Sequence, residues 1–204
     1  MSCPKRYLLK PVTSYICLEN SEFFTHVFPL SKEEEVDKFI KDFEAKYPKA
    51  DHLCYAYVLD EKEGFSQDGE PSNSGGYTIL NILRKEKVYG VFAAVIRFYG
   101  GIKLGLPRLR RTYGDAASLA LKKGEYGVYI EGEKITFDID YKTYNQIEKI
   151  IEREGITDLN KNFGMSINLV LLGSVTIIEA FIKNYLLNIE IKKESQMILK
   201  ELNK

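Results

Sequence analysis

Residues 88–113 read Val-Tyr-Gly-Val-Phe-Ala-Ala-Val-Ile-Arg-Phe-Tyr-Gly-Gly-Ile-Lys-Leu-Gly-Leu-Pro-Arg-Leu-Arg-Arg-Thr-Tyr. The apolar run from Val88 to Phe98 is that of a strand buried inside a sheet. Gly100, Gly101 and Gly105 punctuate the loop that follows, and Pro107 suits the first position of a helix, where its missing N–H costs nothing. Leu109, Tyr113, Ala116, Ala117 and Ala120 give that helix an inner face, and Gly124 ends it. Arg108, Arg110 and Arg111 crowd its start. The helix dipole is already positive there, so these cations call for an anion or an acidic partner.

Working outward, His52 to Leu59 is a second buried strand, with Leu53, Tyr55, Tyr57 and Leu59 on one side and Cys54, Ala56 and Val58 on the other. A polar loop, Asp60 to Ser74, carries Asp68-Gly69-Glu70-Pro71. Ser72, Asn73 or Ser74 then caps a helix bearing Ile79, Ile82 and Leu83. A helical crossover predicts that the two strands are parallel and that both loops leave one sheet edge. The two loops would then share a crevice at the strands' carboxyl ends.

Before this region lie a strand over 7–18 broken by Pro11, a strand over 22–29, and a helix opened by a Ser31/Glu34 capping box. After it, residues 126–132 read as a strand edge and linker. The remainder runs strand, helix, two strands, helix, strand, which is the ferredoxin-like order. The expected organisation is therefore α+β with two domains, residues 1–130 and 131–204.

The chain has 204 residues, is 45% hydrophobic and 28% charged, and is thus a folded rather than a disordered polypeptide. No apolar run reaches membrane-spanning length and residues 1–10 lack a signal-peptide core, so a cytoplasmic location is expected. Cys3, Cys17 and Cys54 are scattered and odd in number, against a disulfide framework. With only His26 and His52 available, no closed zinc site of standard spacing can be written. His52 and Cys54 sit two apart on one strand face, as packed residues or, less simply, as reactive ones. Between Arg84 and Arg111 stand eight basic residues against Glu86 alone, an excess of seven in a chain of zero net charge. That distribution admits a polyanion partner, or a rim paired with acids from elsewhere in the chain.

Two uses of the crevice compete. Gly75, Gly76, Gly100, Gly101 and Gly105 would let backbone amides approach phosphate oxygens, with Lys103, Arg108, Arg110 and Arg111 supplying charge and Phe98 or Tyr99 stacking on bases. Alternatively the glycines only turn the chain, while Asp68 and Glu70 balance the arginines. Catalysis would fall to Asp68 and Glu70 as acid and base or as Mg²⁺ ligands, with His52 brought near by the fold. No Walker-type motif or dinucleotide glycine fingerprint is present.

His52-Leu53-Cys54, Ser66-Gln67-Asp68-Gly69-Glu70-Pro71, Gly76, Arg97-Phe98-Tyr99-Gly100-Gly101-Ile102-Lys103-Leu104-Gly105, Leu109 and Tyr113 together resemble the IMPACT/YigZ family, over about residues 15–123. The resemblance implies a first domain with the fold of ribosomal protein S5 domain 2. It also implies a ferredoxin-like second domain similar to the last domain of elongation factor G. Both folds occur in translation proteins. Eukaryotic members compete for the activator of an amino-acid-starvation kinase through an additional N-terminal domain. No counterpart of that domain is read here, so that partner is not expected to transfer. The chain departs from the family pattern at Asn73-Ser74-Gly75-Gly76-Tyr77-Thr78, at Pro107-Arg108 and at Glu22. Tyr77 or Arg108 would narrow a small-ligand pocket, whereas a flat basic surface tolerates both.

The leading expectation is a non-enzymatic regulator that binds RNA or a ribosomal surface and tunes translation, without a cofactor. Lys103, Arg108, Arg110 and Arg111 would lie on phosphates, and Arg97 and Tyr99, with Gly100 and Gly101, at the crevice. The loop Asp68, Gly69, Glu70, Ser74, Gly75 and Gly76 would stand opposite. A second possibility is a small phosphorylated-ligand or metal-assisted hydrolytic site at the same crevice. A third is docking of an acidic protein partner.

Overall fold

The structure, a computed structural model, describes residues 4–202. These fall into two compact units, one running to Val128 and taking back Glu201, the other Tyr129–Lys200. Cys3 lies outside the described residues.

In the first unit, β1 (Arg6–Leu8) and β2 (Val12–Leu18) are separate strands around Pro11, followed by β3 (Ser21–Pro29) and α1 (Glu35–Lys46). Then come β4 (His52–Val58), β5 (Glu63–Ser66), α2 (Gly76–Lys85), β6 (Val88–Tyr89), β7 (Val91–Phe98) and α3 (Leu106–Leu121). The main sheet has the order β2-β3-β7-β4-β5, and every neighbouring pair in it is antiparallel. The expected parallel pairing of the two buried strands is therefore corrected: His52 faces Arg97 and Val58 faces Val91. The expectation assumed that the chain crosses from β4 to β7 through a helix alone, whereas β5 turns it back antiparallel to β4 before α2 begins.

Burial is complete at the centre of the sheet, where Val91 to Arg97 are all buried. Val91, Ala93 and Val95 join Cys54, Ala56 and Val58 beneath α2 and α3, against Ile79, Leu83, Tyr113, Ala116, Ala117 and Ala120. Phe92, Ala94 and Ile96 join Leu53 on the opposite face, under Val36 and Phe43 of α1. The β4 alternation and the inner face of α3 read from sequence are the ones present. A buried phenylalanine such as Phe92 is worth roughly 1.5–3 kcal/mol over an exposed one.

Local signals were partly misleading. α1 begins at Glu35, its N-cap residue Glu34 makes no side-chain capping bond, and the Ser31 N–H is taken by Glu35 Oε2 (3.1 Å) rather than by Glu34. α2 is capped by Gly75 without a side-chain bond, while the Ser74 hydroxyl donates to the Pro71 carbonyl (2.5 Å). The expected polar loop over 60–74 contains β5, which pairs with β4 as a hairpin.

Residues 126–132, expected as a strand edge and linker, begin β8 (Tyr126–Ile139). The second unit continues with α4 (Tyr141–Arg153), β9 (Thr157–Phe163), β10 (Ile167–Ser174), α5 (Val175–Tyr185) and β11 (Ile191–Glu201). β10 pairs antiparallel with β8 and β9, and β11 pairs with β8. Ile135, Phe137, Ile167, Leu169 and Leu171 pack against Ile147 and Ile151 of α4 and Ile178 and Phe181 of α5. Asp140 caps α4 by accepting from the Thr143 amide (2.7 Å), which lowers its carboxyl below the usual range.

Candidate functional site

The antiparallel sheet still brings the predicted loops together, by a different route. β5 returns the chain to the edge where β4 starts and β7 ends, since Ser66 faces Tyr55 and Arg97 faces His52. The Asp68–Pro71 loop leaves β5 at that edge, and the Gly100–Gly105 loop leaves β7 there. Two glycines make this approach possible. A Cβ at Gly76 would collide with the carbonyl oxygens of Ser66 and Tyr55, and one at Gly100 with the backbone of Asn20 and Ser21. Gly75 likewise sits against Cys54 Sγ, and Ser74, Gly75 and Gly76 are buried. Gly76 and Gly100 pack against backbone and Gly75 against the Cys54 side chain, which corrects their reading as open phosphate-approach positions.

At the centre of the crevice Glu70, 7% exposed, accepts through Oε1 from Arg97 Nη1 (2.6 Å) and from the Tyr113 hydroxyl (2.8 Å). A salt bridge this buried holds because the pair is hydrogen-bonded, and removing either partner strands a charge. Arg97 also lies against the rings of Phe23 and Tyr99, 5.5 Å from each centroid. Arg97 is thus an internal partner of Glu70 and not a freely exposed phosphate contact.

Behind this pair, Cys54 Sγ donates to the Gln67 carbonyl (2.9 Å) and lies 3.5 Å from the Tyr113 hydroxyl. Burial pushes the Cys54 thiol up to about 12 and the Tyr113 phenol well above its ordinary value, so both stay protonated. Cys54 is a packed residue rather than a thiolate nucleophile.

The catalytic candidates separate. Asp68, with φ of 44°, accepts the Leu53 amide through Oδ2 (2.5 Å) and so fastens the start of β4. Its carboxylate and that of Glu70 are held by different donors, the Leu53 amide for one and Arg97 with Tyr113 for the other. Among the described residues no group of three or more His, Cys, Asp or Glu could hold a metal ion. His52 does reach the crevice. Its Nδ1 lies 2.7 Å from the Asp68 carbonyl, which can only accept, so Nδ1 carries the hydrogen and Nε2 faces Glu70 Oε1 at 3.9 Å.

The cations divide between two sites. The crevice, about 400 Å³, is lined by His52, Glu70, Arg97, Tyr99, Lys103 and Leu109 among others. Arg110 and Arg111 instead face a groove of about 630 Å³ between α2 and α3, with Tyr77, Asn81 and Lys85. Arg108 lines neither, because Glu19 in the β2–β3 turn binds it at 2.9 Å. That acid answers the unfavourable charge at the helix start. Arg111 reaches Asp115 at 3.6 Å, both well exposed, which is a weak tie. Neither Tyr77 nor Arg108 obstructs the crevice, contrary to expectation.

Residues that sequence reading passed over complete the edge. Asp51 Oδ2 accepts from the Tyr99 amide (2.7 Å) and Ser21 Oγ from the Gly100 amide (3.0 Å). An Asp just before a strand and a Ser just after a turn are ordinary cap residues, and only the long-range pairing reveals what they cap.

The Impact N-terminal domain family matches residues 19–121. The chain is 31% identical over 169 residues to an IMPACT family member of Haemophilus influenzae, covering 80% of this chain and 82% of that protein. It is 38% identical over 109 residues to the IMPACT family member YvyE of Bacillus subtilis, about half of each chain. Among solved structures, a crystal structure described as that of a hypothetical protein aligns with a TM-score of 0.60 at 24% identity, covering 92% of this chain and 95% of the other, a likeness of fold. The matched span of 19–121 holds every loop of the crevice and both helices of the groove, and on these grounds the chain belongs to the IMPACT family.

Proposed function

We propose that this protein is a translation-associated regulator that binds RNA, or an RNA surface of the ribosome, through the α2–α3 groove of its first unit. One observation carries the reading. Lys85 and Arg110 have no ion-pair partner among the described residues, Arg111 has only a weak one, and all three line one open groove. Tyr77 lies in the same groove, with the exposed Phe65 ring 5.6 Å away. Cations beside accessible aromatic rings and an amide side chain, Asn81, suit phosphates and unstacked bases. The fold supports the same reading by analogy. The strand order β11-β8-β10-β9 with its two helices fits a ferredoxin-like domain, and the first unit fits a domain like that of ribosomal protein S5.

Binding of a single-stranded oligoribonucleotide, followed by fluorescence anisotropy across a salt series, tests the proposal. Three phosphate contacts give a slope of log K against log salt near about −2. The double variant Arg110→Glu/Arg111→Glu flattens that slope and weakens binding at least about tenfold. Undiminished binding by this variant rejects the groove as the interface. Capture of a protein partner that survives nuclease treatment would replace RNA with an acidic protein.

A further inference from the structure

The crevice and the groove share no residue, and the crevice holds two hydrogen-bond acceptors left without a donor among the described residues. Glu70 spends only Oε1, on Arg97 Nη1 and the Tyr113 hydroxyl, and Oε2 accepts from none of them. The Glu70 side chain is only 3% exposed. The described side-chain atoms sealed off without a partner are Thr25 Oγ1, Gln67 Oε1 and Arg97 Nε, so Oε2 keeps an open surface, and the crevice is the cavity that Glu70 lines.

His52 supplies the second acceptor. The Asp68 carbonyl takes the hydrogen on Nδ1, so Nε2 presents a lone pair, in a side chain 26% exposed. Nε2 stands 3.9 Å from Glu70 Oε1, too far for a hydrogen bond between the two groups. An imidazole lone pair and a largely buried carboxylate oxygen turned to one space call for a guest that donates to both.

The charges around this pair narrow the guest. Arg97 balances Glu70, and Lys103 lines the same cavity with no ion pair among the described residues, so the cavity is positive overall and disfavours an ammonium. A carboxylate would bring further lone pairs to two acceptors. A neutral NH₂ group instead meets each acceptor with one of its hydrogens. Pro71, Leu104, Leu106 and Leu109 supply apolar wall beside the 42%-exposed Tyr99 ring. About 400 Å³ is within the range of small-molecule sites.

We infer that the crevice binds a neutral primary carboxamide with an apolar body. Its NH₂ group donates to His52 Nε2 and Glu70 Oε2, its carbonyl accepts from Lys103, and its body lies against Leu104, Leu106 and Leu109. This goes beyond RNA binding at the groove and does not depend on it.

Titration of the full chain near neutral pH with phenylacetamide, its N,N-dimethyl derivative, phenylacetate and phenethylamine tests the inference, read by backbone amide shifts and the His52 ring-nitrogen shifts. Phenylacetamide moves the amides of Tyr99, Lys103 and Leu109 and saturates in the millimolar range. The dimethyl amide keeps the carbonyl but has no hydrogen to donate, and binds at least about tenfold more weakly. The acid and the amine are weaker than phenylacetamide too. In the free protein the His52 ring carries its hydrogen on Nδ1, and the Nε2 signal moves on binding. His52→Phe keeps a ring without a lone pair and loses binding, and the dimethyl comparison needs no variant, so it stands whether or not this one folds. Lys103→Met, an exposed change, weakens binding several-fold. Arg110→Glu/Arg111→Glu leaves it unchanged, which separates failure here from failure at the groove. Hydrogens on both His52 ring nitrogens in the free protein, equal binding of the dimethyl amide, tighter binding of the acid or the amine, wild-type binding by a folded His52→Phe, no saturable shift with phenylacetamide, or shifts confined to α2 and α3 would each overturn it.

Discussion

The crevice and the α2–α3 groove are built from the same short stretch of basic sequence, yet their charges do opposite things. Arg97 is almost wholly buried and bound to an equally buried Glu70, while Arg110 stands exposed on α3 with no ionic partner among the described residues. Only thirteen positions separate them. A strand residue at the sheet's closing edge is roofed by a helix and two loops, whereas a helix residue one step from the inner-face Leu109 turns to solvent. Burial therefore decides whether an arginine is structural or available, because a desolvated cation requires a fixed partner and a solvated one does not.

The sharpest way to break this contrast is to strand one charge. Glu70→Ala should cost about 3–5 kcal/mol in urea denaturation, since it leaves Arg97 buried and unpaired. Glu70→Leu with Arg97→Met should recover most of that loss. A small effect of the single change would mean that the pair is solvated after all. The groove should behave in the opposite way. Arg110→Glu/Arg111→Glu should alter stability by no more than about 0.5 kcal/mol while weakening RNA binding.

A smaller effect is expected from Tyr113→Phe, which removes one donor from Glu70 and should cost about 1–2 kcal/mol. Acid titration reads the core on the α1 side of the sheet. His26, on the α1 side of the sheet, is held down to about 4, first by burial and then by Lys46. The unfolded chain takes up that proton near its ordinary value of 6.5, so stability is full above 6.5 and falls as the pH drops towards 4. His26→Phe should remove this part of the acid sensitivity in a melting-temperature series.

Much of the first unit was legible because its signals are local. The alternation of β4, the unbroken apolar run of β7 and the inner face of α3 each follow from a side-chain period that a single segment carries. β5 was not legible. It has four residues, includes Gly64 and two exposed positions, and lies in a stretch otherwise polar enough to pass for a loop. Missing it reversed the deduced direction of β7 against β4, yet the crevice survived, because the hairpin and the direction it changes compensate. The helix starts failed for a related reason. Gly75 and Gly76 occupy the head of α2 because the Cys54 side chain crowds the first and backbone crowds the second, and side-chain capping preferences say nothing about crowding.

The residue types gathered at the site, His52, Asp68, Glu70, Arg97 and Lys103, were all readable as candidates. Their roles were not. Glu70 and Arg97 are 27 positions apart and Arg108 and Glu19 are 89 apart, and no periodicity links them. From its sequence alone this protein determined its buried strands, its helix faces, its family and the excess of positive charge in one segment. The tertiary structure alone decided strand direction, which carboxylate met which arginine, and how the cations split between a buried crevice and an open groove. Side-chain period is set by neighbours along the chain, whereas the partner of a charge is set by whatever the fold brings within about 3 Å of it.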